Sequence, residues 1–487
     1  MTLPGSASPT SGAQPDEGIR FRTRILFGLG SVSEGTKNTA FNVFLLFYYN
    51  QVLGLSGTLS GIAIFIALTI DAITDPLVGS ISDHTHSRWG RRHPYMYAAA
   101  LPMSVCFYFL FSPPGGISQW GLFVWLAVFA VGVRASMTLY AIPSASMVPE
   151  MTSHYDERTT LFSYRFLFGW VGGLTASVLG YQVFFRKVGD VDGRLVPEAY
   201  QDFALVAGLM MFAAILVCAL GTHYLIPKLR SAGPETLTPR RFFEELAGAF
   251  RNRSYRNLVL GMLFASVAGG FNDVVGLYMN TYFWEFTTDE ITLITLGFGV
   301  SVLVGVAVSR PLSERFDKKP TAVGLAVVAV GFGPFPVFLR LLDLMPANRD
   351  PLLLYLMIGH GFIIVAAIVM IGIIISSMIS DVVDENELET GQRQEGLFFS
   401  ALTFCAKASS GIGGLLAGVA LDVIAFPRLA APGSVDPEKL FSLGMAVGPG
   451  LVILFFVLVY FLSRYGLTRE RHREILAELA RRQAPQA

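Results

Sequence analysis

Charge is what this chain has least of. Asp, Glu, Lys and Arg make up 15% of its 487 residues, where soluble domains carry roughly a quarter, and the mean hydropathy is +0.54. That excludes an ordinary water-soluble domain and predicts a polytopic membrane protein. Cysteine is scarce as well: Cys106, Cys218 and Cys405 fall in apolar runs without Cys-x-x-Cys spacing, which excludes a disulfide framework and a thiolate metal site. The 36 basic and 36 acidic residues cancel, so nothing points to nucleic acid, and the placement of each sign matters more than the sum. There is no phosphate-binding loop of an ATP-driven pump and no paired His and Asp constellation for a membrane enzyme. No organic cofactor is expected, and no metal beyond a monovalent cation.

What is present is apolar sequence in long runs. At about 20 residues per crossing, twelve spans are predicted at 24–52, 57–83, 93–112, 118–148, 160–185, 203–227, 257–283, 291–313, 320–343, 352–380, 395–425 and 441–463. Arg88, Arg91 and Arg92 follow the second span, Lys228, Arg230, Arg240, Arg241, Arg251, Arg253 and Arg256 the sixth, and Arg315, Lys318 and Lys319 the eighth. These connections share one face, which the positive-inside rule makes cytoplasmic. The expected fold is an all-α membrane protein with twelve transmembrane helices in two six-helix bundles, both termini cytoplasmic. The expected domains are a disordered tail 1–20, a first bundle 21–228, a cytoplasmic linker 229–256, a second bundle 257–464 and a cytoplasmic tail 465–487. The tail could lie on the membrane surface as an amphipathic helix or stand in solvent. "PLVGSISDHTHSRWGRRHP" after the second span has a shortened echo in "RPLSERFDKKP" after the eighth. Transporters built from repeated six-helix halves bind substrate and ions near the midplane between the halves.

A charged side chain at the centre of a membrane helix costs roughly 2.5 to 3.5 kcal/mol, so each one needs a partner, a wet cavity or a function. Asp71 and Asp75 are four apart and stack on one helix face. Two such carboxylates repel when ionised, and a hard monovalent cation or a proton relieves them; pairing with basic residues elsewhere is the other reading. Lys407, midway along the eleventh span, is a partner for both, either exchanging during a transport cycle or fixed between bundles. Glu34 joins this charge network. Arg165 can contact substrate or snorkel toward the cytoplasm. Tyr140, Trp170, Asn272, Asp273 and Tyr278 are further cavity candidates. At cytoplasmic helix ends, Asp83 with Arg88, Arg91 and Arg92, then Asp156, Glu157 and Arg158, then Arg393 and Glu395, have the alternating charge of a conformational gate.

The pattern D-x-x-x-D-P-x-x-G-x-x-x-D-x-x-x-x-R-x-G-R-R, the segment "YDERT…SYR" and "TGQRQEGLFFSALTFCAKASSGIGG" together resemble the glycoside-pentoside-hexuronide:cation symporters. That family belongs to the major facilitator superfamily and includes the melibiose permeases. The resemblance implies sugar import coupled to Na+, Li+ or H+ by alternating access in a bacterial-type inner membrane, by a chain expected to act as a monomer. By position, Asp71 and Asp75 resemble the cation pair, Lys407 the lysine coupled to it, and Arg165 a sugar-contacting arginine. The sugar-gripping acid and tryptophan of the fourth helix are replaced by Ala141 and Ala145 in "YAIPSASMVP". An amphiphile such as a lysophospholipid is therefore the alternative cargo.

Overall fold

Polar residues that precede the apolar runs become helix caps. Ser56 accepts from Leu59 N, Ser118 from Gly121 N and Asp350 from Leu352 N, and Thr287 forms a capping box with Glu290; each satisfies N–H groups that have no partner within the helix. The computed structural model describes residues 19–85, 87–152, 155–187, 189, 191–228, 248, 250–391 and 394–483. Most of the expected tail 1–20 and linker 229–256 lies outside the described residues, as do Arg393 and the side chains of Asp156 and Glu395.

The helices are α1 (21–52), α2 (Gly57–His84), α3 (His93–Leu110), α4 (Gln119–Met151), α5 (Tyr155–Leu179), α6 (Pro197–Thr222), α7 (Arg253–Phe283), α8 (Thr288–Phe316), α9 (Lys318–Leu341), α10 (Pro351–Thr390), α11 (Glu395–Val423), α12 (Pro437–Ser463) and α13 (Arg469–Gln483). Among the described residues, ten helices, α2 and α4 to α12, are long and apolar enough to cross a membrane. The other two of the predicted runs are α1, interrupted by π-turns at Ala40–Leu45 and Tyr48–Val52, and α3, with 18 residues. The same packing recurs six helices apart. In the first half α1 packs on α5 and α6, α2 on α4, and α3 on α4 and α6; in the second α7 packs on α11 and α12, α8 on α10, and α9 on α10 and α12. The sequence echo has a structural counterpart. Arg92 at the start of α3 pairs with Glu150 at 2.9 Å, and Lys318 at the start of α9 pairs with Asp381 at 2.7 Å.

The halves meet along α2–α11, α1–α7 and α5–α8. The α2–α11 approach depends on missing side chains: a Cβ on Gly418 would lie 2.1 Å from the carbonyl oxygen of Gly57, so only glycine lets the backbones come this close. The end carrying the α1–α2, α5–α6, α7–α8 and α11–α12 connections is closed. There Tyr278 donates to Asn50 at 2.9 Å, Tyr282 to Gln51 at 3.0 Å, Gln51 to the Pro427 carbonyl at 3.1 Å, and Gln182 to Thr292 at 2.8 Å. Toward the opposite end, Gly79, one turn beyond Asp75, faces Ile142 of its own half.

The C-terminal helix differs from both expectations. α10 has 40 residues, about 60 Å at 1.5 Å per residue, twice the ~30 Å hydrocarbon core. Its projecting end receives α13. His472 lies 3.0 Å from Asp384, Arg469 donates to the carbonyls of Ser313 and Glu314, and Ile475 and Leu479 are buried in the second half's core. The apolar stripe of α13 docks on protein rather than on lipid or water.

Candidate functional site

Between α2 and α11 the carboxylates and the lysine predicted from sequence come together. Lys407 Nζ lies 2.6 Å from Asp75 Oδ2 and 3.3 Å from Asp71 Oδ2. The four-residue spacing on α2 aims both carboxylates at one point, and the glycine seam above brings α11 close enough for its lysine to reach them. From α4, Thr138 Oγ1 lies 2.9 Å from an oxygen of each carboxylate. One turn earlier on α4, Arg134 Nη1 lies 3.3 Å from Asp71 Oδ2, with its guanidinium 4.8 Å from the Phe41 ring centre.

Asp71 is buried and Asp75 partly open, so the pair is sheltered and still reachable. Lys37 of α1 is also buried, and its charged neighbours include Asp71, Arg134, Glu34 and Lys407. Two carboxylates and a hydroxyl can ligate a hard monovalent cation, and an ammonium in their midst can exchange with one. Because Asp71 and Asp75 belong to one half and Lys407 to the other, the charge state of this cluster is linked to how the halves meet.

The remaining candidates separate. Arg165 Nη1 donates to Ser144 at 2.7 Å and reaches Glu34 at 4.0 Å, forming a polar patch between α1, α4 and α5. Asn272 and Asp273 are exposed, and Asn42, in the π-turn of α1, donates to Asp273 across the halves at 3.3 Å. Trp170 is 43% exposed and pairs edge-to-face with Phe166. With Phe162 they form a stripe at four-residue spacing on α5, all exposed. Gly169 and Gly173 beside this stripe pack on Gly35 and Thr39 of α1. Two candidates are not on a cavity wall. Tyr140 is fully buried, its side chain reaching from α4 to put the hydroxyl against Gly30 of α1 and Cys218 of α6 inside the first half. Tyr278 is fully buried in the closed end, where it bonds Asn50.

The charged helix ends form clasps within each half. Arg92 contacts Asp83, Ser82 and Glu150, and Arg91 joins Glu150 at 2.8 Å. Glu157 accepts from Arg24 and Thr152, and Arg158 donates to the Thr152 carbonyl. Arg88 lies over the Trp89 ring, with no carboxylate on it among the described residues. Sequence reasoning missed Arg134, Thr138, Lys37, Asn42, Ser144 and Glu150. For Arg134 the signal was present: an arginine in the middle of "FAVGVRASMTLY" is as expensive as the aspartates of α2.

A family profile described as MFS/sugar transport protein matches residues 26–469. Among individual proteins, the chain is similar to the inner membrane symporter YicJ of Escherichia coli, 24% identical over 95% of this chain and 96% of that one. It is similar to the putative glycoside/cation symporter YagG of Escherichia coli, 26% identical over 96% of each. It is also similar to the isoprimeverose transporter of Lactiplantibacillus pentosus, 26% identical over 80% of this chain and 78% of that one. In fold it matches the xylose transporter XylE of Escherichia coli with a TM-score of 0.60 at 15% identity, over 92% of this chain and 98% of that one.

Proposed function

The chain belongs to the MFS/sugar transport protein family, and from that premise we propose that it is a multi-pass inner-membrane symporter carrying a sugar or glycoside inward with a monovalent cation. It is a transporter and not an enzyme, as are its relatives. The observation that carries the coupling mechanism is the bond from Lys407 to Asp75 and Asp71 at the parting line of the halves. A coupling cation, Na+ or H+, neutralises the carboxylates and displaces the ammonium, and that loosens the seam and lets the halves rock about the site. With both termini in the cytoplasm, the closed end is the outer one, and the structure is an inward-open stage of the cycle. Glu34, Asn42, Arg165 and Ser144 of the first half and Asn272 and Asp273 of the second supply hydroxyl-binding groups between the halves. The charged clasps at the helix ends keep each half rigid while it rocks.

Ala141 and Ala145 of α4, together with the exposed Phe162, Phe166 and Trp170 of α5, favour a second reading, an amphiphilic cargo such as a lysophospholipid, because such side chains suit an apolar group better than hydroxyls. The test is uptake by proteoliposomes holding wild type or Asp75→Asn, with sugars and lysolipids compared. Wild type should accumulate sugar down a Na+ or H+ gradient and Asp75→Asn should not, while still exchanging labelled for unlabelled substrate. Gradient-driven accumulation by Asp75→Asn refutes the coupling role, and uptake of lysolipid but not sugar selects the second cargo.

A further inference from the structure

The carboxylate pair does not have its two charges free for an incoming ion. Arg134 is 6% exposed and directed at Asp71, its Nη1 3.3 Å from Oδ2, and its Nε has no partner among the described residues. It stands one turn from Thr138 on the same face of α4, so the guanidinium and the hydroxyl approach the carboxylates side by side. We propose that Arg134 is a built-in counter-ion that removes Asp71 from the alkali-cation site and sets the selectivity of this carrier against Na+ and Li+. This rests on the cation-coupled reading above and adds to it which half supplies each charge.

Three features carry the proposal. First, an arginine keeps its proton in proteins, so its charge cannot be removed to make room for a metal ion. Second, α4 and α2 pack within one half, so Arg134 travels with Asp71 through the cycle. Lys407 comes from the other half and can withdraw. Third, Lys37 is buried on α1 of the same half, with Asp71 among its charged neighbours. When Lys407 withdraws, Asp71 still faces Arg134, and Lys37 of the same half stays among the charges around Asp71, so fixed positive charge remains beside the pair. A Na+ ion needs several oxygen ligands with a net negative charge to replace its water. Here it would bring a further positive charge to a site where Asp71 is already matched by Arg134, and Asp75 would remain as the carboxylate that no guanidinium holds, with the Thr138 hydroxyl shared between the two.

The test uses the purified full-length chain and its thermal midpoint in NaCl, LiCl or choline chloride at matched ionic strength, for wild type, Arg134→Lys and Arg134→Gln. A ligand that binds the folded state raises the midpoint by mass action. Wild type and Arg134→Lys should show no Na+-specific rise. Arg134→Gln should gain one, with Na+ binding tighter than in wild type by about tenfold or more, and Asp71→Asn added to it should abolish the gain. If Arg134→Gln does not fold, the wild-type titration still decides, because a Na+-specific rise at millimolar salt in wild type overturns the proposal. A folded Arg134→Gln without Na+ binding also overturns it. If Arg134→Gln gains Na+ binding but no cation gradient drives uptake by wild type, the symport reading falls and the role of Arg134 stands.

Discussion

The outer closure holds a separable interaction. Asp422, near the end of α11, accepts from the Ser56 hydroxyl at 2.5 Å, from Gly57 N at 3.1 Å and from Thr58 N at 2.8 Å. It therefore caps the first turn of α2 from the opposite half, where the positive end of the helix dipole favours a carboxylate. Asp422→Asn keeps one acceptor oxygen and loses the charge. A hydrogen bond to a charged acceptor contributes about 1.5 to 3 kcal/mol when sheltered. The side chain of Asp422 is 26% exposed, so about 1 kcal/mol for each of two weakened bonds is reasonable. The closed outer end should lose about 2 kcal/mol, roughly a thirtyfold shift toward outer opening.

Ala430→Cys is a suitable reporter, since Ala430 is 8% exposed at the closed end and only its backbone carbonyl bonds Tyr282. With Cys106, Cys218 and Cys405 replaced by alanine, a membrane-impermeant maleimide applied to right-side-out vesicles reads how often the outer end opens. Asp422→Asn should raise the labelling rate by about thirtyfold, and Asp422→Ala by more, because no acceptor remains. An unchanged rate in both variants refutes the assignment of Asp422 as an outer lock.

Legibility in the sequence followed how directly a physical rule converts a residue into a position. Asp71, Asp75 and Lys407 stood out because charge in an apolar run is costly, and that cost forces them together in whatever fold the chain adopts. Lys37 was hidden by its context "SEGTKNTA", where polar neighbours mask one more charge although the stretch falls in the first predicted span; its burial and its place among the charges around Asp71 and Arg134 come from how α1 packs into the first half. Tyr140 and Tyr278 illustrate a different limit. A tyrosine has an apolar body and a polar tip, and which neighbour the tip meets depends on helix rotation, which no single span encodes. Glu150, in "MVPEM", looked like part of a turn, and its partnership with Arg91 and Arg92 arises from the antiparallel return of α4 past α3. The amphipathic pattern of α13 was visible, but its docking partner was not, because that depends on α10 running well past the membrane.

Three further perturbations probe the frame around the site. Glu150→Gln leaves Arg91 and Arg92 at a buried position without their shared carboxylate; removing one partner of a buried pair costs about 3 to 5 kcal/mol, so the detergent melting midpoint should fall clearly, and an unchanged midpoint refutes the clasp. Gly418→Leu pushes a side chain into the Gly57 carbonyl, so the outer end should fail to close and the Ala430→Cys reporter should label at its maximal rate; protection equal to wild type would show that the glycine seam is not needed for closure. The tail offers the cleanest separation of stability from transport. Stopping the chain after Thr468 removes Ile475 and Leu479 from the second half's core and removes the bonds of His472 to Asp384 and of Arg482 to the Leu388 carbonyl. Burying two aliphatic side chains contributes about 1.5 to 3 kcal/mol each, so the truncated chain should melt earlier. The Asp75–Lys407 site lies in the spans and touches none of these residues, so uptake by surviving protein should keep its cation dependence. Loss of that dependence in the truncated chain would mean that α13 acts on the coupling site through α10, and not only as a brace on its projecting end.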